Sequence, residues 1–366
     1  MQKKPRKLHG GDIYRHPDVI DFSVNTNPLG TPESVKRAVQ ESVAKIEHYP
    51  DVRCEALREA ISRFEQVNME EILCGNGAAE LFFAAVQAVW PQKALVIAPS
   101  FSEYEEALRS VGAEVEYYYL CEEDNFQIRG DYVDKLSEEI DMIFLCNPNN
   151  PTGVIYSGDT LDQLQKALER AEARIGHPLY VISDEPYREL VYDDNQLPFM
   201  PAHVKNCLIV YSFSKSLSLP GERIGYIAVS PKMDYYEEVK AGLITTNRIG
   251  SVNAPSLMQL VIKECLNERP QIEVYDQNRK MLYEHLTALG FECLKPQGAF
   301  YLFVKSPIED YAAFVEEGKK QHILMVDASS FGCPGYVRLA YCVSPEMIKR
   351  SFPAFERLAE ACKAMR

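Results

Sequence analysis

The sequence predicts an α/β protein with a mainly parallel sheet in the middle of the chain and a smaller α+β lobe near its end. Short, nearly continuous apolar runs alternate with helical patterns in the middle of the chain. Such runs are typical of strands that helices bury on both faces. From about Tyr275 the order changes to helix, short strands, helix. These observations predict two structural units.

The predicted strands of the sheet are short apolar runs: Ala94–Ala98, Val115–Leu120, Met142–Cys146, Leu179–Ser183, Leu208–Ser212 and Ile224–Val229. A shorter apolar pair, Ile72–Leu73, precedes a predicted helix over Leu81–Val89. The clearest helix lies over Thr160–Ala173, where leucines recur on one face and Asp159 or Thr160 can cap the start.

The smaller lobe is predicted to begin with a helix over Asn278–Leu289 and to end with one over Pro345–Met365. Four segments lie between them: Phe300–Val304, Tyr311–Gln321, Ile323–Val326 and Val337–Tyr341. Residues 1–30 lack a long periodic element. We therefore predict a large domain over 31–265, and a second unit formed by an N-terminal arm (1–30) and a small C-terminal domain (266–366).

Composition excludes several classes of protein. The 366 residues include 39 Lys and Arg against 53 Asp and Glu, for a net charge of −14. This acidity argues against nucleic-acid or anionic-membrane partners. The chain has neither the apolar stretch of a membrane span nor that of a signal peptide, so we expect a cytoplasmic protein. Its ten cysteines form no CxxC pair and no zinc-ligand pattern, so we expect reduced thiols and no metal.

Polar segments follow the predicted strands, at the edge of the sheet where such folds bind ligands. They are Cys74-Gly-Asn-Gly-Ala-Ala-Glu80, Asn147-Pro-Asn-Asn-Pro-Thr-Gly153, Asp184-Glu-Pro-Tyr187 and Ser212–Gly225. An anion cradle, an amide, a carboxylate, a phenol and a lysine can thus meet in one crevice. This set suits pyridoxal phosphate (PLP), which needs a Schiff-base lysine, an acidic partner for its ring nitrogen and a phosphate site.

The chain resembles the fold-type I PLP enzymes of the class I and II aminotransferase family over essentially its whole length. The segment Ser212–Gly225 carries that family's lysine motif, with Arg223 eight residues after Lys215. The Asn-Pro-Thr-Gly and Asp-x-x-Tyr motifs precede it in the family's order. The resemblance implies an aspartate aminotransferase-like fold with a seven-stranded sheet, and a homodimer that acts on an amino donor and a 2-oxo acid.

The resemblance also implies catalytic roles. Lys215 forms the Schiff base and then acts as the base that moves the α-proton. Asp184 keeps the pyridine nitrogen protonated. Tyr187 and Asn150 donate to the phenolic oxygen of the ring.

The remaining implied roles concern the phosphate, the ring face and the substrate. The phosphate end of the cofactor lies at a helix start, where small residues let the backbone approach. The implied phosphate contacts are Gly77, Ala78, Ala79, Ser212, Ser214 and Arg223. Phe101 stacks on the ring, and Tyr49 reaches the phosphate of the neighbouring subunit's cofactor. Arg338 binds the substrate α-carboxylate bidentately.

The N-terminal arm resembles one branch of the family. The segments His9-Gly-Gly-Asp12, Asp21–Gly30 and Ser251-Val-Asn-Ala254 look like those of threonine-phosphate decarboxylases of cobalamin synthesis, relatives of histidinol-phosphate aminotransferases. In that branch the arm covers the substrate, which places His9 and Asn27 among the substrate-binding residues.

One position departs from that branch. Both relatives usually carry an arginine that helps to bind a substrate phosphate, but this chain has valine, in Val326-Asp-Ala-Ser-Ser-Phe331. Either another cation (Arg248, Lys4 or Arg6) compensates, or the substrate carries no phosphate.

Three functions are therefore open at this stage. The first is an aminotransferase that acts on an amino acid or amino alcohol through pyridoxamine phosphate. The second is a decarboxylase of the threonine-phosphate decarboxylase type. The third, a PLP-binding regulator, is disfavoured because such regulators also bind DNA and this chain is acidic.

Overall fold

A computed structural model of the protein describes residues 19–129 and 140–365. These residues form three sheets with surrounding helices. The helices are α1 Glu33–Ser42, α2 Glu55–Glu65, α3 Ala78–Val89, α4 Glu103–Ser110, α5 Gly158–Ile175, α6 Met200–His203, α7 Phe213–Ser216, α8 Tyr236–Gly250, α9 Ser256–Cys265, α10 Ile272–Ala288, α11 Tyr311–Lys320 and α12 Pro345–Met365. The strands are β1 Ile20–Asp21, β2 Ile72–Gly75, β3 Lys93–Ala98, β4 Glu114–Tyr119, β5 Ile140–Cys146, β6 Tyr180–Asp184, β7 Cys207–Ser212, β8 Gly225–Val229, β9 Cys293–Leu294, β10 Tyr301–Lys305, β11 Ile323–Leu324, β12 Val326–Asp327 and β13 Tyr336–Ala340.

The largest sheet has seven strands in the order β2-β8-β7-β6-β5-β3-β4. Its neighbours pair in parallel from β7 to β4, whereas β8 runs antiparallel to both β7 and β2. The mainly parallel sheet that the apolar runs predict is confirmed.

Both faces of this sheet are buried, which explains its continuous apolar strands. Along β3, Leu95 and Ile97 belong to one hydrophobic cluster, whereas Ala94 and Val96 belong to another on the opposite face. Alternate residues of a strand point to opposite faces. Since helices cover both faces, neither set can be polar.

The strand register brings the predicted motifs to one edge of the sheet. Cys146, the last residue of β5, lies beside Asp184, the last residue of β6. Asp184 in turn pairs with Val210 on β7, just before the segment that carries Lys215. The chain therefore leaves all three strands at the same carboxyl edge, as the fold class requires of a ligand site.

The C-terminal part forms a four-stranded antiparallel sheet in the order β12-β13-β10-β9. The arm contacts this sheet, because the Ala340 amide of β13 donates to the Phe22 carbonyl oxygen at 2.7 Å, whereas β1 and β11 pair in parallel as a separate two-stranded sheet. The predicted domain limits, 31–265 against 1–30 with 266–366, stay a prediction. None of the helices in the described ranges is long and apolar enough to cross a membrane.

Several local predictions were wrong. The helices predicted from Leu81 and Asn278 begin at Ala78 and Ile272, and two further differences concern α5 and a short strand. Helix α5 begins before Asp159, and its cap is Ser157, whose side-chain oxygen accepts from the Thr160 amide at 3.1 Å. The predicted strand Ile323–Val326 is divided between two sheets, because the chain changes sheet at Met325. The Met325 side chain packs against Gly318 of α11, which anchors this bend.

Candidate active site

Lys215 lies in the short helix α7, directly after strand β7. Its Nζ donates a hydrogen bond to the Asn25 carbonyl oxygen at 2.8 Å, so the N-terminal arm reaches the lysine. Burial, together with the positive charges of Arg338 and Arg223, lowers the pKa of the Lys215 amine to about 8. A lysine with such a pKa carries an appreciable neutral fraction near pH 7, as a nucleophile or general base needs.

Asp184 ends strand β6 and is 5% exposed. Its Oδ2 accepts a hydrogen bond from the Tyr104 hydroxyl at 2.5 Å. Its Oδ1 is also buried but has no hydrogen-bond partner among the described residues. Burial raises the pKa of Asp184 to about 7, although the Tyr104 hydrogen bond and the Lys215 charge act in the opposite direction. A buried carboxylate oxygen without a partner indicates a missing donor.

An anion cradle lies where β2 leads into α3. Gly77, at φ +84°, immediately precedes the first helical residue, Ala78. A Cβ at Gly77 would lie 2.7 Å from the nearest Arg223 guanidinium nitrogen, so this guanidinium packs directly on the glycine backbone. A Cβ at Gly225 would similarly lie 3.4 Å from the Gly77 Cα and 3.3 Å from the Ser212 Cα. The two loops are therefore in close contact, and only small residues permit it.

The other predicted phosphate contacts lie on these same two loops. Ser212 and Ser214 form a hydroxyl pair, with 2.8 Å between their Oγ atoms. Ala78 and Ala79 occupy the first turn of α3, where backbone N–H groups lack helical acceptors. A guanidinium, two hydroxyls and a helix start together form a site suited to a phosphate.

Tyr187 belongs to a buried network of hydroxyl groups. Its oxygen lies 2.7 Å from the Tyr301 hydroxyl, which also accepts from the Asn25 amide at 3.1 Å. The Tyr187 ring makes edge contacts with Phe300 and Tyr301. This packing fixes the phenol in place at the end of the Asp184 turn.

Arg338 lies on β13 and is 6% exposed. Its guanidinium donates to Asn150 Oδ1 at 2.9 Å and to the Ser23 carbonyl oxygen at 3.0 Å. The guanidinium carbon lies over the Tyr301 ring at 4.4 Å and over the Phe331 ring at 4.9 Å. Within the described ranges, no carboxylate forms an ion pair with Arg338, and its buried Nε lacks a hydrogen-bond partner. A buried cation of this kind suits an anionic ligand.

The other predicted site residues differ in whether they contact the residues described above. Phe101 is half-buried and makes an edge contact with Tyr104, the residue that binds Asp184. The Asn27 amide donates to Ser218, three residues after Lys215. Tyr49 is fully exposed on this chain, at 101% of its reference area. His9, like Lys4 and Arg6, lies outside the described residues.

Comparison with known proteins identifies the family. The model of the aminotransferase class I and II family matches residues 17–354. The chain belongs to the class I and II aminotransferase family. It is 29% identical to a threonine-phosphate decarboxylase of Salmonella typhimurium, over 82% of this chain and 83% of the relative. It is 28% identical to an aspartate/prephenate aminotransferase of Thermus thermophilus, over 93% of this chain and 91% of the relative.

Solved structures agree on the fold of this family member. An amino transferase from Eubacterium rectale superposes with a TM-score of 0.87 at 36% identity, covering 95% of this chain and 92% of the other. The aspartate aminotransferase of Thermus thermophilus with maleate gives a TM-score of 0.84 at 25% identity, with coverage of 95% and 94%. The aspartate aminotransferase-like fold is thereby confirmed, and with it the PLP cofactor of the family.

The residues of this aminotransferase-family chain fit that cofactor. Asp184 Oδ1, which has no hydrogen-bond partner in the described part of the chain, suits a protonated ring nitrogen, and Lys215 has the lowered pKa that covalent attachment needs. Any side chain at position 77 would occupy the space in which the Arg223 guanidinium packs on the glycine backbone. A glycine at this position therefore suits a site where backbone N–H groups bind a phosphate. These roles for individual residues remain our assignment.

Val326 faces the same side of the small sheet as Arg338. The two residues are direct partners across the antiparallel pair β12–β13. Side chains of such partners lie on one face, about 5 Å apart at their Cβ atoms. Arg248 lies elsewhere, in the wall of a cavity of about 600 Å³ between helix α8 and the segment Val52–Arg58.

Sequence reasoning missed Tyr104, Tyr301 and Asn25. Tyr104 lies three residues after Phe101, within a helix that the sequence marks only weakly. Asn25 and Tyr301 are 276 residues apart and meet only in the folded chain. The one available signal was that Asn25 lies in the loop-like Asn25–Gly30 segment of the arm.

Proposed function

We propose that this protein is a PLP-dependent aminotransferase. It transfers an amino group between an amino acid or amino alcohol and a 2-oxo acid, and its cofactor is carried on Lys215. The observation that carries this proposal is the match of the aminotransferase family model to residues 17–354, a range that includes Lys215. The pairing of Val326 with Arg338 bears on the substrate. Where the phosphate-binding relatives place a second cation, this chain presents an apolar side chain directly beside the candidate carboxylate site. A substrate without a phosphate group suits that surface.

The chain's own groups supply the required steps. When bound, PLP accepts the electrons that remain at the substrate α-carbon after a bond breaks. The Lys215 Nζ, with a pKa of about 8, would remove the proton from the substrate α-carbon and deliver it to the cofactor carbon on the other side of the amino nitrogen. Asp184 would stabilise positive charge at the ring nitrogen through Oδ1, which no described residue contacts by a hydrogen bond.

Arg338 controls which substrate bond is exposed to reaction. Which bond at the substrate α-carbon breaks would depend on how the site orients the substrate carboxylate. Arg338 binds the substrate carboxylate. The two terminal nitrogens of its guanidinium donate hydrogen bonds to Asn150 and Ser23, which fix the position of the guanidinium. In our proposal this clamp would hold the carboxylate away from the reacting position, so that the bond to hydrogen breaks instead.

A decarboxylase is the second candidate. It is favoured by the similarity to the Salmonella threonine-phosphate decarboxylase over 82% of the chain, and by the arm segment Asp21–Gly30. On the same site, a substrate whose carboxylate is held in the reacting position would lose it as CO₂. The substrate of such an enzyme would have to lack the phosphate or bind it through another cation.

A single-turnover experiment separates the two reactions. The PLP-loaded enzyme is mixed with one amino acid at a time and no oxo acid, using acidic, aromatic and O-phosphorylated amino acids. We expect conversion of the cofactor to pyridoxamine phosphate, up to one per site, without CO₂. Release of CO₂ with an unchanged visible spectrum would instead establish the lyase. The Lys215→Ala variant controls for non-enzymatic reaction of free PLP.

A further inference from the structure

Tyr104 makes a short hydrogen bond inside the candidate site. Its hydroxyl donates to Asp184 Oδ2 at 2.5 Å, and the side chain is completely buried. The residue comes from helix α4, whereas Asp184 ends strand β6, so two separate elements meet here. Burial and the Asp184 charge hold the pKa of Tyr104 well above its ordinary value. The hydroxyl therefore remains protonated, and remains a donor, across the working pH range.

Aromatic neighbours hold the Tyr104 ring. It stacks on Phe144 of β5 with 5.1 Å between ring centroids, and Phe82 of α3 contacts it edge-on at 5.1 Å. Phe101, the residue expected over the cofactor ring, makes a further edge contact at 5.9 Å. A ring packed on these sides cannot rotate its hydroxyl away from Asp184. Tyr104 thus touches both the carboxylate and the aromatic residue that are expected to face the cofactor ring.

The hydrogen bond distinguishes the two oxygens of the carboxylate. Oδ2 is occupied by Tyr104, whereas Oδ1 is buried and has no partner in the described part of the chain. A hydrogen bond to an ionised carboxylate favours the charged form. The other groups that act on Asp184 electrostatically are Glu185, Lys215 and, from β5, the Cys146 thiol, with the Tyr187 phenol also close.

We propose that Tyr104 is a positioning residue for Asp184: it fixes Oδ1 towards the pyridine nitrogen and keeps the carboxylate ionised. This rests on the proposed function of the crevice, but not on which of the two reactions it catalyses. Through Asp184, Tyr104 controls how firmly the ring nitrogen keeps its proton. The contacts of its side chain are to Asp184 and to aromatic rings.

The test compares two variants that each lose one buried hydroxyl. Tyr104→Phe removes the donor to Asp184. Tyr275→Phe is the matched control, because Tyr275 is 1% exposed and its hydroxyl has no hydrogen-bond partner among the residues described. For each protein, the Kd of PLP is measured by titration of the apoenzyme, and the protonation of the bound ring nitrogen by NMR with nitrogen-15-labelled PLP.

We expect Tyr104→Phe to raise the Kd of PLP about tenfold, the scale of a lost hydrogen bond to a charged group. We also expect the ring-nitrogen resonance to move towards the unprotonated position. Tyr275→Phe should leave both quantities as in the wild type. A Tyr104→Phe protein with an unchanged Kd and an unchanged resonance would overturn the proposal. If the wild type itself bound no PLP, the proposed function would fail instead.

A second variant covers the case in which Tyr104→Phe does not fold. Difluorotyrosine at position 104 keeps the ring and its packing but makes the hydroxyl a stronger donor. We expect the bound ring nitrogen to keep its proton to a higher pH than in the wild type. An identical titration for both proteins would contradict a positioning role.

Discussion

At the scale of single residues, Arg338 is the side chain that defines the site most sharply. Its partners are neutral oxygens of Asn150 and Ser23, and two aromatic rings cover its faces. No carboxylate of the described residues pairs with this guanidinium, and a cation removed from water without a counter-ion is costly unless an anion joins it. We therefore propose that Arg338 binds a substrate carboxylate, and that Val326, its direct neighbour across the sheet, limits what else that ligand carries.

That neighbour, Val326, provides the first prediction. Val326→Arg places a second cation beside Arg338, so it should improve binding of a phosphorylated amino acid. We expect the KM for O-phosphothreonine to fall about tenfold, since a charge-assisted hydrogen bond contributes on the order of 1.5–3 kcal/mol. Steady-state kinetics with phosphorylated and unphosphorylated substrates measure the change. Val326→Leu, which adds volume without charge, is the control, and an equal response of both variants would contradict this interpretation.

The sequence could name Arg338 and Lys215 but not their partners. Lys215 and Arg223 lie in one contiguous segment, so local pattern suffices to identify them. Tyr301 and Asn25 form their bond across 276 residues, and such a contact depends on the fold as a whole. The same holds for the hydrogen bond of Tyr104 to Asp184, which spans 80 residues.

At the scale of elements, the junction of β2 with α3 positions the proposed phosphate site. Gly77 has a positive φ and supports the Arg223 guanidinium at the start of the helix. The sequence suggested a helix from Leu81, but the helix begins at Ala78, so its N-terminal amides lie at the loop itself. The small residues at the start of α3 obscured the amphipathic pattern of this helix in the sequence. The same small residues allow the Arg223 guanidinium to pack closely on the backbone.

Gly77→Ala provides the second prediction. The added Cβ would lie 2.7 Å from Arg223, so the variant should bind PLP at least tenfold more weakly. Gly112→Ala is the matched control, because Gly112 has the same φ of +84° but open space around its Cβ position. Both variants should lose about 1–2 kcal/mol of stability from backbone strain. The affinity for PLP is measured by titration of the two apoenzymes. Equal affinities would contradict a phosphate site at Gly77.

Strands were predicted better than helix ends, for a physical reason. A strand buried on both faces must be apolar throughout, so runs such as Met142–Cys146 locate it closely. A helix cap depends on the conformation of one residue, and Ser157, Asp159 and Thr160 are all chemically suited to the role. Only the structure shows that Ser157 takes it.

At the scale of the whole molecule, Tyr49 lies on a surface that is exposed to solvent in a single chain. Its side chain is fully exposed, and the nearby apolar side chains of Val43, Ile46 and Val52 are about half exposed. Apolar groups gathered on a surface typically belong to an interface. We propose that this segment enters the active site of a second copy of the chain, in a two-fold-symmetric dimer.

Mixing two inactive variants provides the third prediction. Lys215→Ala lacks the lysine, and Tyr49→Ala lacks the tyrosine that a neighbouring subunit is expected to supply. In a hybrid dimer, one site would then receive Lys215 from one subunit and Tyr49 from the other. After unfolding and refolding together, an equal mixture should regain activity at roughly a quarter of the sites by random pairing.

Each variant refolded alone is the control for that experiment. If the mixture shows only the sum of the separate activities, Tyr49 acts within its own chain or not at all. Light scattering of the wild type should give the mass of two chains, and a monomer would contradict the same proposal.

The central claim is that PLP is carried on Lys215 in the crevice formed by Asp184, Tyr187, Arg223 and Arg338. The most direct measurement is borohydride reduction of the PLP-loaded protein, followed by proteolysis and mass spectrometry of the modified peptide. The account predicts one phosphopyridoxyl group per chain, attached to Lys215. Attachment to another lysine, or a loaded protein whose Lys215 remains unmodified, would contradict it.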